Sequence, residues 1–165
     1  MTETTSLEAW TIVRKATRKD LELPDDLMGA LAIASVRQML SDVSLGARQY
    51  QAAAGTAFYE ADMPARVLFF IHDGYVRIYQ VGQKPCARLV EILGPGDWFG
   101  IPALTGGEYS QYGTRAVAMT AVTVFEVPVD RFLAAVPNHP VVARELLSQL
   151  SSKLQCLWTR GNAGC

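Results

Sequence analysis

Apolar residues change their spacing twice along the chain. Up to about residue 43 they recur at helical intervals: Leu27, Met28, Leu31, Ile33, Ala34, Val36, Met39, Leu40 and Val43. Pro24-Asp25-Asp26 precedes them, a proline near the first turn followed by acids that suit the positive end of a helix dipole. This pattern predicts a helix over about 25–42. From Arg48 the period shortens. Gln49–Gln51 and Ala57–Tyr59 read as short strands around a turn at Ala54-Gly55, and Val67–Ile71 is a continuous apolar run suited to a buried strand. Asp73-Gly74 is the strongest short hairpin signal in the chain. Tyr75–Val81 alternates, Gly82–Pro85 is a turn, Cys86–Leu93 is a strand, and Arg115–Val127 makes one long strand or two. Short strands at roughly ten-residue spacing, punctuated by Gly, Pro and Asp, predict a sandwich or jelly-roll barrel. After Pro128 the helical period returns. A short helix begins at Val129 and stops at Pro137-Asn138, and a last helix opens at His139-Pro140. There Ala143, Leu147, Leu150, Leu154 and Leu157 step by four and three, an a/d seam of about two heptads that reads as a dimer contact or as a face packed on the barrel itself.

This divides the chain into an arm (1–23) with a cationic cluster at Arg14, Lys15, Arg18 and Lys19, a β body with flanking helices (24–137), a C-terminal helix (138–158) and a tail (159–165). The arm is expected to be solvated.

Composition narrows the function. Of 165 residues half are hydrophobic and 19% charged, ample for a core, and the formal net charge of −1 supplies no basic field for nucleic acid. Three scattered cysteines, a polar acidic start and apolar runs too short to cross a bilayer predict a reduced, cytoplasmic protein without a membrane anchor. His72 and His139 are the only histidines, and each is expected to be structural or exposed. Cys86 is expected to be a buried thiol. No Cys/His metal spacing, Walker loop, dinucleotide fingerprint or nucleophile–base order is present, so neither a cofactor nor an enzymatic activity is expected. Asp97 is expected to shape a turn.

The stretch Gly94–Val117 interrupts the strand pattern. Gly-Pro-Gly-Asp-Trp-Phe-Gly is followed by Ile-Pro-Ala-Leu-Thr-Gly-Gly, enough for one helical turn, and free N–H groups there would cradle an anion. With Tyr50…Ala54-Gly55-Thr56…Phe58…Glu60–Ala65, Leu68–Ile71…Gly74–Tyr79, Leu93–Gly100, and Val124–Pro128 followed by Phe132 and His139-Pro140, the chain resembles the cyclic-nucleotide-binding domain of the Crp/Fnr (catabolite activator) superfamily over about residues 25–158.

That resemblance implies a double-stranded β-helix (jelly roll) followed by a long C-terminal helix, a small-molecule effector, and a homodimer or partner contact through Ala143, Leu147, Leu150, Leu154 and Leu157. It also implies a phosphate-binding cassette reading Phe-Gly-Glu, with an Arg about ten residues on. Here the Glu position is Ile101, the Arg position is Gln111 or Tyr112, and Pro102 removes one N–H. A desolvated cyclic phosphate requires a cation and donors. The nearest substitutes are Arg115, expected on the opposite strand face, and Glu108 in a glycine-flanked loop. The expected pocket, lined by Val90, Phe99, Gly100, Ile101, Leu104, Tyr109, Gln111, Tyr112 and Arg115, therefore suits a flat or apolar effector of unknown identity better than cAMP or cGMP. No helix-turn-helix follows the last helix, which leaves three expectations: a ligand-sensing regulatory domain, a ligand-free dimerisation or scaffold module, or the sensor half of a transcription regulator.

Overall fold

A computed structural model describes residues 25–82 and 87–162. The arm with its cationic cluster, Cys86, most of the turn before it and the end of the tail lie outside these. The first helix among the described residues, α1 (Asp25–Leu40), gives way to a 3₁₀ turn at Val43–Leu45. Among the described residues eight strands follow: β1 (Arg48–Ala52), β2 (Ala57–Tyr59), β3 (Val67–Asp73), β4 (Val76–Gln80), β5 (Arg88–Leu93), β6 (Trp98–Phe99), β7 (Thr114–Ala118) and β8 (Val122–Pro128). A 3₁₀ turn, Ile101–Thr105, separates β6 from β7. The chain then forms α2 (Val129–Ala135), a 3₁₀ turn and α3 (Pro140–Asn162).

The strands form two four-stranded antiparallel sheets, ordered β1-β8-β3-β6 and β2-β7-β4-β5. This is the jelly roll. One sequence reading changes. Asp73-Gly74 closes no hairpin, because β3 and β4 belong to opposite sheets. Gly74 instead turns a corner. It takes φ 87° beside Ala121 and Val122, where a Cβ would collide with the backbone. Residues 115–127 resolve into two strands, again one in each sheet.

Strand β3 is apolar from Val67 to Ile71 because both of its faces are covered there; Leu68, Phe69, Phe70 and Ile71 are all buried. Its pairing with β6 sets the two layers of the core. Phe69 opposes Phe99 and Phe70 opposes Trp98. Phe69 and Phe99 stack at 4.8 Å inside the roll, with Phe58 edge-on to both. Phe70 and Trp98 face the helices, where Trp98 meets Phe132 of α2 at 5.3 Å. The Trp98 indole N–H is buried and has no hydrogen-bond partner among the described residues. Val36 and Met39 of α1, Phe132 of α2, and Val142 and Leu146 of α3 are buried in the same core.

Strand β5 departs from expectation. Leu93 is buried, but Leu89, Val90 and Ile92 are exposed, because β5 is the edge of its sheet.

Candidate functional site

The glycine-rich stretch is built onto the end of β3. Gly96 N–H donates to Ile71 C=O at 2.9 Å, and Ile71 N–H donates to Asp97 C=O at 3.0 Å. Asp97 closes the preceding turn, its Oδ2 accepting from Gly94 N–H at 2.9 Å. Gly100 then turns the chain at φ 78°, and a Cβ there would stand 2.8 Å from Val67 O. In the following 3₁₀ turn Ala103 N–H bonds back to Gly100 C=O. Pro102 C=O accepts from the hydroxyls of both Thr105 and Ser110, which ties the 106–110 loop to the turn.

The returning chain lies antiparallel to 61–65. Ala65 N–H donates to Ser110 C=O, Tyr112 N–H to Met63 C=O, and Gly113 N–H to Ala61 C=O. Alternation along this bridge turns Gln111 out to solvent and Tyr112 in. Tyr112 stacks on Tyr59 at 3.8 Å, and its hydroxyl donates to Val67 C=O at 2.9 Å and accepts from Val67 N–H at 3.2 Å. Burial pushes the Tyr112 phenol above its ordinary pKa. Burial pushes Tyr59 up to about 12, against hydrogen bonds with Thr114 and the Gly100 backbone.

The nine expected pocket residues do not come together. Phe99 and Tyr112 are in the interior, Gly100 lies between Val67 and Tyr112, and Ile101 and Leu104 pack on the core from the 3₁₀ turn. The others lie outside. Tyr109 is 92% exposed at the loop tip, and Val90 sits on the exposed edge strand where the β4–β5 register shifts. Gln111 faces solvent, as does Glu108. Arg115 is on the outer face of β7, whose inner positions are Ala116 and Ala118. There its Nε comes within 3.0 Å of Glu60 Oε1, a charge contact between half-exposed side chains that lacks hydrogen-bond alignment. The Tyr59–Tyr112 stack and the Phe58, Phe69 and Phe99 rings pack together inside the roll. Among the described residues no charged or polar residue is buried. Clefts of about 430 and 280 Å³ open elsewhere on the surface, and no residue of 94–117 lines either.

Helix α3 presents two faces. Val142 and Leu146 are buried, and Leu150 packs partly against the same core. Gln149 reaches the loop before Phe99, its Oε1 accepting from Trp98 N–H at 3.2 Å and its Nε2 donating to Gly96 C=O at 3.0 Å. One turn on, Lys153 Nζ lies 3.2 Å from Glu91 of β5. Nothing in the sequence marked Gln149, Lys153 or Glu91 as tethers; the only trace is the i, i+3/i+4 step that continues Val142 and Leu146 with polar residues. On the other face Leu147 is 64%, Leu157 61% and Trp158 68% exposed, Leu154 is exposed and Ala143 half-buried. The barrel therefore does not cover most of the seam.

The family model for the cyclic nucleotide-binding domain matches residues 49–139, more than half of the chain. The chain belongs to this family. The domain is 30% identical over 102 residues to the global nitrogen regulator of Synechocystis sp., covering 60% of this chain and 44% of that protein. It is 29% identical over 99 residues to the cyclic AMP receptor protein of Thermus thermophilus, covering 59% and 44%. The chain thus spans less than half the length of these relatives. Among solved structures, the Thermus thermophilus catabolite activator protein superposes with a TM-score of 0.64 at 19% identity, covering 87% of this chain and 61% of that one. The c-di-GMP responsive global regulator CLP of Xanthomonas campestris superposes with a TM-score of 0.65 at 17% identity, covering 74% and 59%. Among the described residues no helix is long and apolar enough to cross a membrane, and no three metal-ligating side chains cluster.

Proposed function

We propose that this cyclic nucleotide-binding domain is a cytoplasmic sensing and regulatory module of the Crp/Fnr type, not an enzyme, that does not take cAMP or cGMP in the usual mode. One observation carries the reading: Tyr112, the inward-facing one of the two positions at which the resemblance expects an anchoring cation, packs inside the roll, and among the described residues no charged side chain is buried there to replace it. A cyclic phosphate entering this interior would lose its hydration without a counter-charge. Phe99, Ile101, Leu104 and Tyr112 are the part of the expected pocket that stays near the roll interior. An effector taken there displaces the Tyr112 ring, so it is flat and uncharged.

Titration calorimetry of the full chain with cAMP and cGMP tests the reading. No saturable heat is expected, and a dissociation constant near ~1 μM for either would overturn it.

The exposed face of α3 and the neighbouring apolar edge of β5 support signalling through a homodimer or a partner protein. The filled interior also favours a second reading, a ligand-free dimerisation or scaffold module. The relatives, regulators more than twice as long as the matched segment, favour a third, the sensor half of a transcription regulator.

A further inference from the structure

We propose that the cleft between the last turns of α1 and the helix-facing side of β3 and β8 binds a small carboxylate with an apolar body. Arg37, Leu40, Ser41, His72 and Phe125 line it, and its volume is about 280 Å³. It shares no residue with the roll interior, so the proposal goes beyond the reading given above and stands or falls apart from it.

Its chemistry is that of an acid receptor. Leu40 and Phe125 form apolar walls, and Phe125 meets the His72 ring edge-on at 6.0 Å. At the mouth, Arg37 Nη2 contacts His72 Nδ1 at 3.4 Å, the long limit of a hydrogen bond. Among the described residues no carboxylate comes within ion-pair distance of Arg37. A guanidinium presents a planar fork suited to two carboxylate oxygens, and one neutral ring nitrogen accepts only one of its N–H groups. With Nδ1 accepting, the imidazole carries its proton on Nε2, a further donor. The Ser41 hydroxyl already donates to Gln38 C=O at 2.7 Å and adds no donor. The donors therefore match the two oxygens of a carboxylate and fall short of a phosphate, while the apolar walls ask for an aryl or alkyl body. The site is also placed to be felt elsewhere, since α1 packs against α3, the helix that carries the exposed seam.

The chain has two histidines, so their ring proton signals provide a direct readout. Phenylacetate titrated into the full chain is expected to shift the His72 signals saturably, with a dissociation constant of about 1 mM, as a ligand of this size allows. The His139 signals should stay in place. Arg37→Gln, an exposed substitution, should weaken binding by about tenfold or more, and Arg37→Lys, which keeps the charge and loses the fork, by less. Inorganic phosphate should bind much more weakly than phenylacetate. Absence of a saturable shift at His72, a shift unchanged by Arg37→Gln, or equal binding of phosphate would each overturn the proposal.

Discussion

Tyr112 lies flat on Tyr59, with ring centroids 3.8 Å apart and planes 12° from parallel, while its hydroxyl engages both backbone groups of Val67. One phenol thereby closes the roll and satisfies the first residue of β3. Tyr112→Phe leaves a part-buried N–H and C=O without this partner and should cost about 1–3 kcal/mol. Tyr112→Ala should cost about 3–5 kcal/mol through the cavity it opens. Urea unfolding measures both; a Phe variant as stable as the parent would show that the hydroxyl contributes nothing.

The same pair makes stability fall at alkaline pH. The Tyr59 pKa in the fold, raised by burial to about 12, exceeds the value near ~10 of an unfolded chain. The folded state therefore holds the proton longer. Its contribution is complete below pH ~10 and is lost progressively as pH rises toward ~12, amounting to about 2–3 kcal/mol. Tyr112 shifts in the same direction. Urea midpoints measured across this range should drop more steeply for the parent than for Tyr59→Phe, and parallel curves would refute the assignment.

The two faces of α3 should respond differently to charge. Leu154→Asp and Leu157→Asp act on exposed side chains and should leave the unfolding transition within about 0.5 kcal/mol. If α3 joins two copies, they should also halve the mass measured by sedimentation. Val142→Asp buries an unpaired carboxylate in the core and should abolish folding. An oligomer untouched by both leucine variants would exclude this face as its interface.

Gln149 holds α3 to the loop before Phe99 through a donor and an acceptor at once. Gln149→Ala should cost about 1–2 kcal/mol and speed hydrogen exchange at the Trp98 amide, which loses its 3.2 Å acceptor. Unchanged exchange at Trp98 would mean that the loop is held by other contacts.

Where periodicity and end signals agree, the sequence is a good guide. The helical spacing from Leu27 to Leu40 reports α1, and the unbroken apolar run of β3 reports a strand covered on both faces. Asp73-Gly74 misleads because a dipeptide can demand a turn without stating which sheet the next strand joins. The apolar end of β5 misleads because the sequence cannot show that this strand lies at an edge. Glycine and aspartate positions located the turns of the 94–100 stretch, since positive φ and a closing carboxylate are local requirements met at Gly96, Gly100 and Asp97. The pocket lining was less legible. Whether Gln111 or Tyr112 points inward depends on the 61–65 bridge, a contact made across some fifty residues. The polar tether at Gln149 spans a similar distance.

Strand β1 finds its partner nearly eighty residues later, Arg48 opposing Glu126, and β8 stands between β1 and β3 in the same sheet. During synthesis that sheet has no centre until residue 128 has emerged. Until then β1 and the apolar β3 carry open edges, and no piece that ends before β8 can complete this sheet, although the other sheet has all its strands by residue 118. Folding of this domain should accordingly be slow, on the ms–s scale of folds dominated by distant pairings, and chains cut before β8 should aggregate rather than fold.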